Sequence, residues 1–475
     1  MDMNVNGDAP AVPNFLKLSE IPVNYEQKVS TELLDPVVFR DSGNGNKGFA
    51  RFVLSNTGFL HSHSKLFVSL IPPSDVTVST MALGIGAMSC IDSAVMKIGN
   101  QVVNEISNVG ALHQLKSALI RSENNCEREL YTSGRSMNMD FKYEFGSDKA
   151  SSVIGVNVGR ENTETVDYTT LTEAGLTVNT EILPFADMNH NNPSHSPSYA
   201  IDLSDLFPFL KNHVLALYMF DEPISIELTL SDPRKRVVVG VGQTEQLDFL
   251  IDQNEFKFCF DSVYYGSGDE MQVFAEQNKS MSFSFVDYRN ITTSVTQSNL
   301  ASIFVRNIGM ANRHVTRVIT LLTDTGLFDV NLLQKYNSAS PTITTAGDDK
   351  GKVGDIEYNL RYNDRFEYSS NIDNIATLFS QTIQSEGVVF VSRDAYSSEG
   401  SAITTDTYMG RNQSDNLQGL QNYISTRLSG GRIGSRGLEI HLKSEVGGGV
   451  NTMQNFCEYL RVMQLNDGKV SVYNV

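Results

Sequence analysis

Phe52-Val53-Leu54-Ser55-Asn56-Thr57-Gly58-Phe59 recurs, with changed side chains but the same order of residue types, as Ile303-Phe304-Val305-Arg306-Asn307-Ile308-Gly309-Met310. Each copy runs three apolar residues, a polar one, an Asn-x-Gly turn and another apolar residue. Asn and Gly mark such a corner because both tolerate left-handed backbone. Each corner leads into a strand, Lys65–Leu70 in one copy and Val315–Leu321 in the other. Further on, Gly99-Asn100-Gln101 is matched by Asn363-Asp364-Arg365, an offset of 263 from Asn100 to Asn363. At that offset Asn108/Asn371, Val109/Ile372, Leu112/Ile375 and Leu115/Leu378 align without a gap. Late in each half come Ile224–Leu230 and Leu438–Leu442. The order is strands, one helix, loops, strands, given twice, as an internal duplication requires.

The rest of the pattern is β. Ile224 to Leu230, Met281 to Phe285 and Leu438 to Leu442 alternate apolar and polar residues, the period of a half-buried strand. Asp41–Asn46, Asn189–Pro197, Thr345–Gly354 and Ser444–Val450 are rich in Gly, Asn, Asp, Ser and Pro and read as turns and loops. Asp467-Gly468 between Leu465 and Val470 is a hairpin signal. Helical stripes are rare: Val109, Leu112, Leu115, Leu119 in one half and Ile372, Ile375, Phe379, Ile383 in the other. Asn108 and Asn371 stand where a helix N-cap belongs. Asp269–Glu276 is a third, short candidate with acids in its first turn. Antiparallel eight-stranded units with long connections are most often jelly rolls. The expected fold is therefore all-β, two tandem eight-stranded jelly rolls (a double jelly roll), each with a short helix in a connecting loop. The expected division is an N-terminal arm over 1–20, a first roll over 21–268 and a second over 269–475.

Composition narrows the function. The 475 residues carry 37 Lys+Arg against 55 Asp+Glu, a net charge of −18. Such a surface is not built to neutralise phosphates, so direct nucleic-acid binding is not expected. Nor does it coat an anionic membrane by charge. The most apolar window, Met81–Ile91, falls short of the roughly 18 residues a span needs. The N-terminal residues show no secretory pattern. Four widely spaced cysteines (Cys90, Cys126, Cys259, Cys457) form no disulfide framework and fit a reducing compartment.

Motifs that could carry chemistry are incomplete. His61-Ser62-His63 puts two imidazoles at strand spacing, but Phe67 and Val68 stand where a cupin metal site needs Glu. His190 and His195 sit in a loop without a carboxylate or thiolate cluster. Gly430–Gly437 (GGRIGSRG) lacks the Gly-Lys-Ser/Thr end of a phosphate cradle and reads as a flexible basic loop, able with Arg427 to meet a phosphate or an acidic neighbour. The acidic turns at Asp41–Gly48 and Asp348–Lys352 miss the spacing of a calcium loop. Asn278, Asn290 and Asn412 open glycosylation sequons that, without a secretory signal, are coincidental. No catalytic, cofactor-binding or metal-ligating residue is assigned, and no enzyme is expected.

Three segments carry a family resemblance: Val95–Glu105, Phe258–Ala275 with the strand Met281–Val286 and its tail Asp287-Tyr288-Arg289, and Asn455–Val475. They resemble the strand-and-turn before the first-domain helix, the passage between domains and the C-terminal strand pair of the double jelly-roll major capsid proteins. Those proteins build the icosahedral shells of double-stranded DNA viruses, the group of nucleocytoplasmic large DNA viruses, virophages and polinton-like viruses. The chain departs from that family at Gly110-Ala111-Leu112, where many members have Trp, and at the polar turn Asn466-Asp467-Gly468. The resemblance implies a homotrimeric, pseudo-hexagonal capsomer in the virion shell, made and assembled inside the host cell. It also implies penton and minor capsid or cement proteins as partners, and in many relatives an internal virion membrane. The expected outward loops are Glu123–Thr177 and Asn331–Gly354. The rival classes are a carbohydrate-binding jelly-roll module of fibre or lectin type, a cupin-type enzyme and a minor capsid protein.

Overall fold

A computed structural model describes residues 27–61, 64–71, 86–113, 198–212, 215–236, 248–265, 279–323, 356–373, 375–387, 423–429, 431–444 and 452–475, with isolated short pieces between them. The alternating segments are strands. In the first half these are β1 (Gln27–Leu34), β2 (Gly48–Leu54), β3 (Lys65–Ile71), β4 (Ile91–Ile98), β5 (Gln101–Ser107), β6 (Ser198–Asp202), β7 (Ile224–Leu230) and β8 (Lys257–Tyr265). In the second half they are β9 (Ser280–Ser294), β10 (Phe304–Gly309), β11 (Val315–Thr323), β12 (Ile356–Tyr362), β13 (Arg365–Phe366), β14 (Tyr423–Arg427), β15 (Leu438–Ser444) and β16 (Thr452–Asn466). A last strand, β17 (Lys469–Asn474), follows, and helix α1 (Ile375–Glu386) lies between β13 and β14.

Pairing is antiparallel throughout and repeats with a step of eight strands. One first-half sheet runs β1-β8-β3-β6 and the other β2-β7-β4-β5. The second half gives β9-β16-β11-β14 and β10-β15-β12-β13. These are the two sheets of a jelly roll, drawn twice. Further short strands extend them; Val38–Arg40, for example, pairs with β2.

Period two explains which residues face inward. On β7, Ile224, Ile226, Leu228 and Leu230 are buried, while Glu227 faces outward and meets Lys97 at 2.5 Å. The inner faces of the first roll interlock, with the Phe52 ring 5.7 Å from Phe258 on the opposite sheet. In the second roll Val318, Ile424 and Cys457 face Leu360, Ile440 and Leu442. Each such apolar side chain contributes about 1.5–3 kcal/mol relative to exposure.

The recurring corner has a specific task. Gly58 (φ 66°) and Gly309 (φ 78°) hold the left-handed turn. The amide nitrogen of Asn56 donates to the carbonyls of Phe220 (2.9 Å) and Glu222 (3.1 Å), just before β7. Its counterpart Asn307 donates to the carbonyl of Arg436, just before β15. Both corners therefore clasp the loop that enters the seventh strand of their roll.

Two expectations need correction. Asn108 has φ 53°, and its side chain donates to Gln454 at 3.1 Å instead of capping a helix. Its backbone carbonyl does accept from Leu112 (3.2 Å), so a helical turn starts there, over residues 109–113 of those described. Asn371 binds Asn359 and Glu357, and Ile372 makes a bridge with Tyr358, so α1 opens only at Ile375. In both places tertiary partners outcompete the local cap. The Asp467-Gly468 hairpin forms as expected, with φ 49° and 78°. Asp269–Glu276 lies largely outside the described residues.

The two rolls share one buried seam. β9 and β16 are 15 residues long, and their paired ends, Ser280–Val286 and Leu460–Asn466, overhang toward the first roll beside β17. Phe285, Met463 and Leu465 join the first roll's core, and Phe285 sits 5.2 Å from Phe209. Within this seam lies Asp287, 1% exposed. It accepts from Asn104 (2.8 Å) of the first roll and from Arg461 (2.8 Å), Tyr459 (3.0 Å) and its neighbour's Tyr288 N–H (2.8 Å). Arg461 in turn donates to the Val103 carbonyl at 2.7 Å.

Two outcomes test this account. Asp287→Ala leaves the Arg461 cation buried without its carboxylate, so the midpoint of urea unfolding should fall by an amount worth about 3–5 kcal/mol, and Asp287→Leu with Arg461→Met should recover much of it. Asn307→Ala should cost about 1 kcal/mol, because its bonds to the Arg436 carbonyl and from the Gly309 N–H are both exposed. Asn56→Ala should cost more, because it frees two carbonyls, that of Phe220 part-buried; equal effects would refute the clasp geometry.

Candidate functional site

The residues singled out by sequence are drawn into the fold. His61 lies in a tight turn between strands. Its carbonyl accepts from the Ser64 N–H (3.1 Å) and hydroxyl (2.8 Å), and its own N–H donates to Asp261. His63, His190 and His195 lie outside the described residues, as do Cys126, Asn278 and Asn412. Asn290 is half-buried in the middle of β9 and donates to Gln454 at 3.4 Å, a poor position for a glycan. The loops Glu123–Thr177 and Asn331–Gly354 and the arm 1–20 also lie almost wholly outside. Among the described residues no group of three or more His, Cys, Asp or Glu comes together to hold a metal, and no helix is long and apolar enough to cross a membrane.

The glycine-rich loop is spent on the protein itself. The Gly434 N–H donates to Asn363 (2.6 Å), the side chain of Arg432 to the Asn312 carbonyl (3.0 Å), and Arg436 pairs with Asp364 (2.5 Å). Those donors face neighbouring turns, so they are not arranged as an anion cradle. Among the described cysteines thiol chemistry is suppressed as well. Burial pushes the Cys90 thiol up to about 11 and Cys457 up to about 12, and it raises Cys259. Such thiols stay protonated and poorly nucleophilic at neutral pH. Burial lowers the His441 imidazole, against the opposing pull of Glu439, which lies 3.8 Å from Nε2.

Buried charges hold loops. Arg236 is fully buried and grips Asp41 with two bonds (2.7 and 2.9 Å) while donating to the carbonyls of Phe249 and Ser231. On the second roll Arg317 meets Glu386 of α1 at 2.6 Å and Glu458 at 3.7 Å, and Glu458 accepts from Tyr288 and Thr316. Sequence reading missed both networks, because their members are far apart in the chain. Beside the second lies a cleft of about 480 Å³, lined by His314, Thr316, Gln384, Ser385, Arg427 and Ser429 among others. It contains no carboxylate pair and no thiolate.

What the molecule does offer is surface. Several large apolar side chains stand exposed on strand faces and edges: Val29 and Leu33 on β1, Val37 and Val38 beside β2, Val305 on β10 and Phe366 on β13. Val29 and Leu33 share one face of β1, four residues apart.

No family model and no curated protein matches the sequence. Solved structures do match in shape. The PBCV-1 virus capsid structure superposes with a TM-score of 0.52 at 10% identity, over 95% of this chain and 97% of that one. The Faustovirus major capsid protein gives 0.51 at 7% identity, over 95% and 92%. A PBCV-1 capsid protein fitted into a reconstruction of the virophage Sputnik gives 0.50 at 9%, over 95% and 98%. Likeness over whole chains at such low identity establishes the fold: this chain is a double jelly roll, the architecture of these viral major capsid proteins.

Proposed function

We propose that the chain is the major capsid protein of an icosahedral double-stranded DNA virus and works as a homotrimer. Three double rolls supply six similar units to a near-hexagonal capsomer, and a hexagonal outline tiles a shell. One observation carries this reading: two rolls with matching pairing order are joined by a buried seam. A block of two like units suits a tile, because each copy offers two similar sides to its neighbours. The expected rolls are 21–268 and 269–475, with the arm 1–20 tying capsomers together. The protein resides in the virion shell, and penton and minor capsid or cement proteins complete it. It performs no catalysis in this role.

Charge sets the conditions. A trimer of −18 chains carries −54, which opposes close approach of capsomers. Salt at about 0.15 M shortens that repulsion to about 8 Å. The trimer contact itself, of obligate size, buries more than about 2,000 Å². Light scattering on the purified chain should give three times 52.5 kDa, 157.5 kDa, at low and high salt, with sheets or shells under the electron microscope as salt rises. A strict monomer at micromolar concentration in both salts would refute the reading.

A further inference from the structure

The cleft of about 480 Å³ beside the Arg317 network has walls that are tied together. One wall is the chain entering β11, at His314 and Thr316, and the second is the end of β14, from Arg427 to Ser429. The third is α1. The Leu428 N–H donates to the Thr316 carbonyl at 2.9 Å, which joins the two strand ends. Ser385 meets the Ser425 hydroxyl at 2.9 Å, and the Ser425 N–H donates to the Thr382 hydroxyl at 3.3 Å, which seats the helix on β14. Gln381 and Gln384, three residues apart on α1, share the helix face that lines the cleft.

The carboxylates near this cleft are already engaged. Glu386 accepts from Arg317 and Ser425, and Glu458 from Tyr288 and Thr316. Glu367 accepts from the Ser429 N–H (3.0 Å) and the Tyr362 hydroxyl (2.6 Å). Cations gather at the same end of the roll. Arg432 forms a bridge with His314 and donates to the Asn312 carbonyl. Arg365 reaches Ser429 at 3.4 Å, and Arg313 lies 4.9 Å from the centre of the Tyr459 ring. Arg427 lines the cleft at an exposed position, and among the described residues no carboxylate pairs with it. On a chain of net charge −18, the cleft thus holds a guanidinium without a counter-ion.

We propose that this cleft binds a phosphate group, carried by a soluble phosphorylated molecule or by a lipid headgroup. Guanidinium forks match phosphate oxygens, and a concave site lined by one sign of charge concentrates the opposite one. Arg427, the His314 imidazole and the amides of Gln381 and Gln384 belong to three different walls. Donors on several sides suit a tetrahedral anion better than a flat carboxylate, whose oxygens share one plane. The volume lies in the range of small-molecule sites, about 300–1,000 Å³. The glycine-rich loop contributes by placing Arg432 beside His314, although its own donors are spent. The site needs only the folded second roll, so it stands or falls apart from the capsomer.

Calorimetry on the full-length chain at constant ionic strength tests it, with inorganic phosphate as the first probe. The parent should bind phosphate saturably. Arg427→Gln, at an exposed position, should keep the parent's circular dichroism and weaken binding about tenfold through one lost charge-assisted bond. Arg436→Gln removes a cation that is 79% exposed and does not line the cleft, so it should change binding less than about twofold. Glycerol phosphate and vesicles of phosphatidylcholine with phosphatidic acid then separate the sources. Tighter binding of glycerol phosphate than of phosphate supports a soluble carrier. Vesicle binding that needs phosphatidic acid and is lost in Arg427→Gln supports a headgroup. No saturable phosphate binding by the parent, equal losses in the two variants, or acetate bound as well as phosphate would each overturn the site.

Discussion

A single carboxylate sets how the halves of this protein meet. Asp287 is buried between the rolls, where an unpaired charge would cost several kcal/mol. Burial pushes its carboxyl above the ordinary range, and the Arg461 guanidinium, the Tyr288 N–H and the Tyr459 hydroxyl pull it back. Four donors from three strands must point at it together, one of them, Asn104, from the other roll. The apolar groups around it, Phe285, Phe209, Met463 and Leu465, supply most of the attraction, but greasy contacts tolerate sliding. The directional bonds do not. The seam therefore combines non-specific cohesion with one polar lock, and the lock gives the pair of rolls a defined angle.

That division explains the state of the molecule's other polar groups. Asn56 and Asn307 clasp loops, Arg236 grips Asp41, and Asn363 takes the Gly434 N–H. Jelly-roll connections cross from sheet to sheet and leave many loop carbonyls and N–H groups near the barrel ends. Each must find a partner or lose about 1–3 kcal/mol. Among the described residues, side chains of the glycine-rich loop that look chemically suggestive in the sequence are occupied in this way. The loop's spacing hints at a phosphate, but its donors are aimed at adjacent turns.

Much of the fold could be read from residues alone. Alternation gave β7 with its observed ends, Ile224–Leu230, because a sheet with one wet face leaves a period of two in the chain, and the strand read after the first corner, Lys65–Leu70, stops one residue short of β3. Asp467-Gly468 named its hairpin because only such residues accept two successive positive φ angles. The failures have a common cause. Asn108 and Asn371 look like caps locally, but Gln454 and Asn359 lie hundreds and about a dozen residues away, and long-range partners leave no trace in local sequence. The overhang of β9 and β16 was equally hidden, since Phe283 and Phe285 alternate as they would in any half-buried strand. The exposed Leu33 was not recognised as surface for the same reason: hydrophobicity says that a residue prefers cover and does not say whose.

The duplication is itself uneven, and the unevenness follows a physical rule. The halves agree where both must do the same thing: Asn-x-Gly corners that clasp, inner-face aliphatics that close a core, and tight turns at Gly99-Asn100 and Asn363-Asp364. They disagree on outer faces. On the sheet that holds β1 the row Leu33, Cys259, Lys65 and Asp202, and on the sheet that holds β9 the row Tyr288, Glu458, Arg317 and Arg427, share little chemistry. Inner faces of two similar barrels enclose similar volumes, so packing holds them to similar side chains. Outer faces meet different neighbours. One row lies under the first roll and beside α1, where Glu386 and Glu458 share Arg317; the other faces outward with its ions already paired. Sequence similarity thus decays first at the faces whose surroundings differ, and those are the faces that give each half its own place in an assembly.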